Sequence, residues 1–173
     1  GRLEGRGSLT KTGAGTASFS GNGAANVYSG DVSVVEGTLL LDGAGNSYPF
    51  GTASNGVRTI SVWSNATLTA ANGNHNPLGV GTLGTLGLVI SNGTFNVPAY
   101  CHVSNVTMWA GTIAPNGAML DGFDLRDGSR VLTRASDNPA QITTKASLRA
   151  LTVVDVEDGT ALVDLSISGQ IAG

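Results

Sequence analysis

A chain of 173 residues with 26 glycines and only 12% charged residues carries about twice the usual glycine and half the usual charge; with three Glu and two Lys it lacks the material of a helical bundle. Glycine does not fall at every third position and there are five prolines, which excludes collagen, while 40% hydrophobic residues and a net charge of −3 argue against disorder. The mild acidity gives no electrostatic case for nucleic acid, and no apolar run approaches the roughly 20 residues of a membrane helix.

In chain order, the sequence opens at Gly1 without a Met or a leader, as expected of a piece of something longer. Gly15-Thr16 and Gly37-Thr38 then introduce two strand-like runs. From there one unit recurs, an Asn or Asp followed by a small residue and then an apolar run. Its instances are Asn65-Ala66-Thr67-Leu68, Asn92-Gly93-Thr94-Phe95, Asn116-Gly117-Ala118-Met119, Asp127-Gly128-Ser129-Arg130 and Asp158-Gly159-Thr160-Ala161. Gly and Asn tolerate positive φ, and Asn or Asp side chains bond the local backbone, so each unit predicts a sharp corner. The runs over 95–97, 130–133 and 161–165 alternate with period two and are rich in β-branched residues and Leu, as strands are.

The corners at Asn65, Asn92 and Asn116, and those at Gly15-Thr16 and Gly37-Thr38, recur with a loose period in the twenties. Such a period is a solenoid signature, in which each coil buries its apolar side against its neighbours. Asn-Gly between strands is equally a hairpin signal, so a β-sandwich stays open on spacing alone. Nine aromatic residues are few for a sandwich of this size and suit a narrow core of Val, Ile, Leu and Thr.

Residues 7–41 read GSLTKTGAGTASFSGNGAANVYSGDVSVVEGTLLL. This stretch resembles the passenger-associated transport repeat of bacterial autotransporters, through Leu9, Thr10, Lys11, Gly13, Gly15, Thr16, Ser20, Gly21, Asn26, Tyr28, Gly30, Val32, Val34, Gly37, Thr38 and Leu39. It departs at Ala17, where Leu is usual, at Gly23-Ala24-Ala25, a short insertion, and at Asp31. Residues 76–83 are similar to the rung that follows in that family, and 163–173 to the rung that precedes the Leu-Thr-Lys start. The resemblance implies a right-handed, single-stranded parallel β-helix displayed outside the cell. It also implies that residue 173 leads naturally into residue 1 of another copy, in tandem or stacked head to tail.

Residues with chemical potential are few. Asp121, Asp124 and Asp127 form an oxygen-rich stretch with calcium-ligand character, but without the spacing of an EF-hand or a calcium β-roll. Their plainer reading is turn carboxylates, with Asp124 pairing Arg126 or Arg130. In a strand ending at the Asp158-Gly159 corner, Asp155 and Glu157 face outward while Val154 and Val156 face inward. Two carboxylates can hydrolyse a glycoside, but nothing fixes their separation. His75 and His102 are far apart, and Cys101 reads as a small buried apolar group. Trp63 and Trp109 are candidates for stacking on sugars, against the plainer role of covering a solenoid core. Asn65, Asn92 and Asn105 each begin an N-glycosylation pattern.

The expectation is thus one all-β domain over 1–173, a right-handed β-solenoid of about seven to eight rungs at 20 to 25 residues each, some 35 to 40 Å long. No catalytic residue, cofactor or resident metal is expected. Partners are further copies or repeats, end to end, and surface glycans. The function is a structural unit of an extracellular fibre or bacterial surface protein. An adhesin segment and a polysaccharide-active enzyme are the alternatives.

Overall fold

The computed structural model describes residues 3–20, 27–42, 49–50, 57–71, 76–78, 86–97, 100–117, 122–149 and 151–173. Among these residues every strand pairing is parallel. That decides against hairpins and a sandwich: the Asn-Gly corners turn the chain onward, not back. Among the described residues there is no helix.

The chain visits three faces in turn. β1 (Glu4–Gly5), β2 (Leu9–Lys11) and β3 (Thr16–Phe19) make the first circuit, and β4 (Val27–Tyr28), β5 (Val32–Val34) and β6 (Gly37–Leu41) repeat it. β7 (Arg58–Val62) and β8 (Ala66–Ala70), then β9 (Leu86–Ser91) and β10 (Thr94–Val97), continue the second and third faces. Residues 49–50 and 76–78 continue the first, where Tyr28 N–H donates to the Phe50 carbonyl and Asn76 N–H to that of Tyr100. β11 (Tyr100–Trp109) bends across the first and second faces before β12 (Gly111–Pro115), as β13 (Gly122–Thr133) does before β14 (Ala140–Ile142). β15 (Ala146–Leu148), β16 (Val153–Val156) and β17 (Leu165–Ile167) follow, and β18 (Ile171–Ala172) returns to the first face. The third face is a 7-stranded sheet in the order β17-β14-β12-β10-β8-β6-β3. The result is a parallel β-solenoid of about five turns.

In-register stacking makes the core a set of columns. Leu9, Val32, Ile60, Leu88, Val106, Val131 and Val154 stand in one. Ala17, Leu39, Leu68, Phe95, Ile113, Ile142 and Ile167 stand in another. From Val32 to Val131 and from Leu39 to Ile142 these side chains are buried. Each fully buried one contributes about 1.5–3 kcal/mol.

The predicted interval from Thr16 to Thr38 is a true coil, since the two residues pair. So is that from Asn65 to Asn92: Thr67 pairs with Thr94, which sets the two Asn residues side by side, both at positive φ. The interval from Asn92 to Asn116 is not a coil. The register of Thr94 on Thr112 puts Ala110, at φ 57, beside Asn92, so that coil closes well before Asn116 is reached. Asn116 sits past the far end of β12, so the matching Asn-Gly pairs mark different corners.

The repeat-like stretch has a physical basis. The Tyr28 hydroxyl donates to the Gly7 carbonyl at 2.6 Å, and a Cβ on Gly30 would collide with that same oxygen. Gly37 has φ +68, and a Cβ there would collide with the Gly13 carbonyl oxygen. Lys11 Nζ donates to the carbonyls of Thr12 at 3.0 Å and Glu36 at 2.8 Å, tying two corners together.

Candidate functional site

Parallel register brings one polar cluster together on the outside of the first face. His102 pairs with Asp124 across β11 and β13, and Asp124 with Ser147 across β13 and β15. Cys101 and Val103 point into the core, as do Phe123 and Leu125, so His102, Asp124 and Arg126 line the opposite side. Asp124 Oδ2 lies 2.6 Å from His102 Nδ1 and accepts from the Tyr100 hydroxyl at 3.3 Å; Oδ1 accepts from Arg149 Nε at 3.0 Å. Covered in this way, Asp124 is 1% exposed. Arg126 lies along the ring, with Nη2 2.7 Å from His102 Nε2 and Nε 2.8 Å from Nδ1. Asn76 Oδ1 accepts from the His102 backbone N–H at 3.1 Å. Nδ1 thus has both the Arg126 Nε–H and the Asp124 carboxylate against it, and Nε2 has Arg126 Nη2, so both ring nitrogens are engaged.

The electrostatics favour the neutral ring. Burial, and then Arg126, hold the His102 pKa below the usual histidine value against the opposing pull of Asp124. Burial pushes the Cys101 thiol far up, so it stays protonated. Chemically, the cluster is a latch across successive coils. The nitrogen a general base would use is engaged by Arg126, and the thiol next in sequence faces the other way.

The expected partners of Asp124 are therefore corrected. It meets His102 and Arg149, whereas Arg130 pairs with Asp155 at 2.5 Å and Arg126 lies on the histidine. Asp121 and His75 lie outside the described residues. Asp127 belongs to β13, where Gly128 at φ 75 turns the strand between faces, and its side chain lies outside the described part. Among the described residues no three His, Cys, Asp or Glu side chains gather to hold a metal.

Asp155 and Glu157 face outward as expected, with Arg130 and Arg134 as their ion-pair partners in the preceding coil. Trp63 and Trp109 come to one corner column. Both flank Ser91, two layers or about 9.6 Å apart. They are 43% and 38% exposed; Trp63 Nε1 donates to Ser33 Oγ at 2.8 Å, and the Arg134 guanidinium sits 5.9 Å from the Trp109 ring centre.

Sequence reasoning passed over Arg149 and the role of His102. The signal that could have found them is coil length: His102 and Asp124 stand one circuit apart, and so do Asp124 and Arg149.

The C-terminal coil is the other notable surface. Val154, Val156 and Ile171 are 44%, 51% and 57% exposed, although they belong to inward-facing positions. Leu151, Leu162 and Val163 of the same C-terminal stretch are exposed as well.

No protein-family model matches the chain, and neither a curated protein nor a solved structure matches it.

Proposed function

We propose that this chain is a non-catalytic structural segment of an extracellular bacterial fibre or surface protein, extended end to end by further copies or repeats of itself. The observation that carries the reading is the open column. Inward positions buried in every middle coil are uncovered at Val154 and Val156 and partly uncovered at Ile167, and Leu165 beside it is partly uncovered too. The matching positions at the other end are Leu9, Lys11, Gly15 and Ala17, of which Leu9 and Ala17 are partly uncovered apolar residues and Lys11 has its Nζ on the carbonyls of Thr12 and Glu36. Continued in register, Val154 meets Leu9 of the next copy, Val156 meets the stem of Lys11, Ile167 meets Ala17 and Leu165 meets Gly15, large against small in the last two. Unpaired strand edges on such a layer invite pairing as well.

The winding is right-handed, in keeping with the strong preference of parallel crossovers. With the partial coils at the two ends included, the rung count is seven to eight, in keeping with the seven strands of the third face. Membership of the autotransporter passenger repeat family and display at the cell surface rest on the resemblance over residues 7–41.

Light scattering across a concentration series, with electron microscopy, tests the reading. Rods in multiples of the unit length are expected, and Val154→Asp abolishes them without changing the fold. A monomer at every concentration overturns the reading.

A second reading, an adhesin segment that binds glycans, is favoured by the Trp63–Ser91–Trp109 column. Glycan binding lost in both Trp63→Ala and Trp109→Ala would support it.

A further inference from the structure

Resting on the end-to-end reading, we infer that copies join by strand replacement: Ile171–Gly173 of one copy takes the place held by Leu3–Gly5 in the next. The path of the chain requires that something yield. At the N-terminal end β1, β2 and β3 form one flush layer, each paired to the strand of the second circuit on its own face. At the C-terminal end β18 pairs with β15, so the first face stands one layer beyond β16 and β17. Setting β2 of a second copy on β16, and its β3 on β17, brings its β1 into the layer that β18 already fills. Two strands then claim one position, whether the copies are separate chains or joined.

The two claimants carry the same pattern. Leu3-Glu4-Gly5 and Ile171-Ala172-Gly173 are each an apolar residue, a spacer and a glycine. Leu3 packs against the core from the first layer, and Ile171 stands in register on Ala146 of the core. The third position favours glycine. Gly5, in register on Tyr28, has φ +110, a backbone conformation that a side chain would strain. Gly173 meets that demand equally.

β18 is the better holder. It stays paired to β15 of its own chain while it gains β4 of the next, and its Ile171, 57% exposed, becomes covered. In β1 both Glu4 and Gly5 are exposed, so its release gives up mainly the packing of Leu3 and the ladder to β4, including the bond from Ser29 N–H to the Gly5 carbonyl, which the Gly173 carbonyl would take over. The displaced Leu3–Gly5 then become part of the connection or a free flank, while Gly7 keeps its bond from the Tyr28 hydroxyl and the continuous stack resumes at Leu9.

Two cysteine pairs in the full chain, each made as separate single variants and mixed before oxidation, test the replacement. Ala172→Cys with Val27→Cys links the copies if β18 lies on β4 of the next copy, because Glu4 pairs with Val27. Glu4→Cys with Ser147→Cys links them if β1 has instead displaced β18, because Ser147 pairs with Ala172. The native Cys101 is buried and stays out of the reaction. The 172–27 link is the expected result, together with association roughly tenfold tighter for Leu3→Asp and weaker for Ile171→Asp, a change of about 1.4 kcal/mol. A 4–147 link, or equal association of Leu3→Asp and the parent chain, overturns the replacement and leaves end-to-end stacking intact. Monomers in every variant overturn both.

Discussion

Val131 and Val154 are the same residue in the same column, one coil apart, yet one is 1% exposed and the other 44%. Ile142 and Ile167 repeat the contrast in the next column. Burial here is conferred by the neighbouring coil and not by a residue's own surroundings, so each coil is stabilised mainly by what lies above and below it.

The sharpest way to break the comparison is to truncate one column at two heights. Leu68→Ala, in a fully buried position, is expected to cost about 2–5 kcal/mol. Ile167→Ala in the last coil is expected to cost under about 1 kcal/mol in the monomer. Urea unfolding of both variants measures the difference, and equal losses would mean that the last coil is already covered. In the column of Val156, the Thr133 hydroxyl is buried without a hydrogen-bond partner among the described residues. Thr133→Val should therefore raise stability by about 1 kcal/mol, read as a higher urea midpoint. Val156 itself, at the open end, should show little response to a change between apolar residues.

The middle coils should also respond to pH through His102. Its pKa is depressed by burial in the folded state, while the unfolded chain takes up a proton near pH 6.5. The neutral ring thus contributes stability above about pH 6.5 that is lost as pH falls below it. Melting temperatures at pH 7.5 and 5 should fall further apart for the parent than for His102→Gln. The smallest effect is at the corner. Ala110 has φ 57, which costs a non-glycine residue about 1–2 kcal/mol, against about 0.5–1 kcal/mol of added chain entropy for glycine. Ala110→Gly also gives up a buried methyl worth about 0.8 kcal/mol, so it should leave the urea midpoint nearly unchanged, whereas glycine at Val153, in an open strand with no such strain, should lose stability.

The solenoid was legible because its corners and alternation are local. Asn65 and Asn92 show their positive φ in their residue type, and the coil length appears in the spacing of Thr16 and Thr38. The polar cluster was not legible, because His102, Asp124 and Arg149 come together only through a register that no one stretch of sequence encodes. For the same reason Asn116 misled: it has the composition of Asn92 without its position. The pairing of Arg130 with Asp155 and not with nearby Asp124 has that origin too, since sequence neighbours on a parallel ladder diverge while residues one circuit apart touch.

Coil length varies here while the ladders stay in step. The circuit from Val32 to Ile60 is more than half as long again as the circuit from Leu88 to Val106. Between the second and third faces, from Val34 to Gly111, the corners take one to three residues, so the difference is absorbed elsewhere in the circuit. A lineage of such chains can therefore gain or lose whole loops without rewriting its interior. Those loop sites are the natural places for inherited novelty, and for grafting a foreign peptide onto the rod.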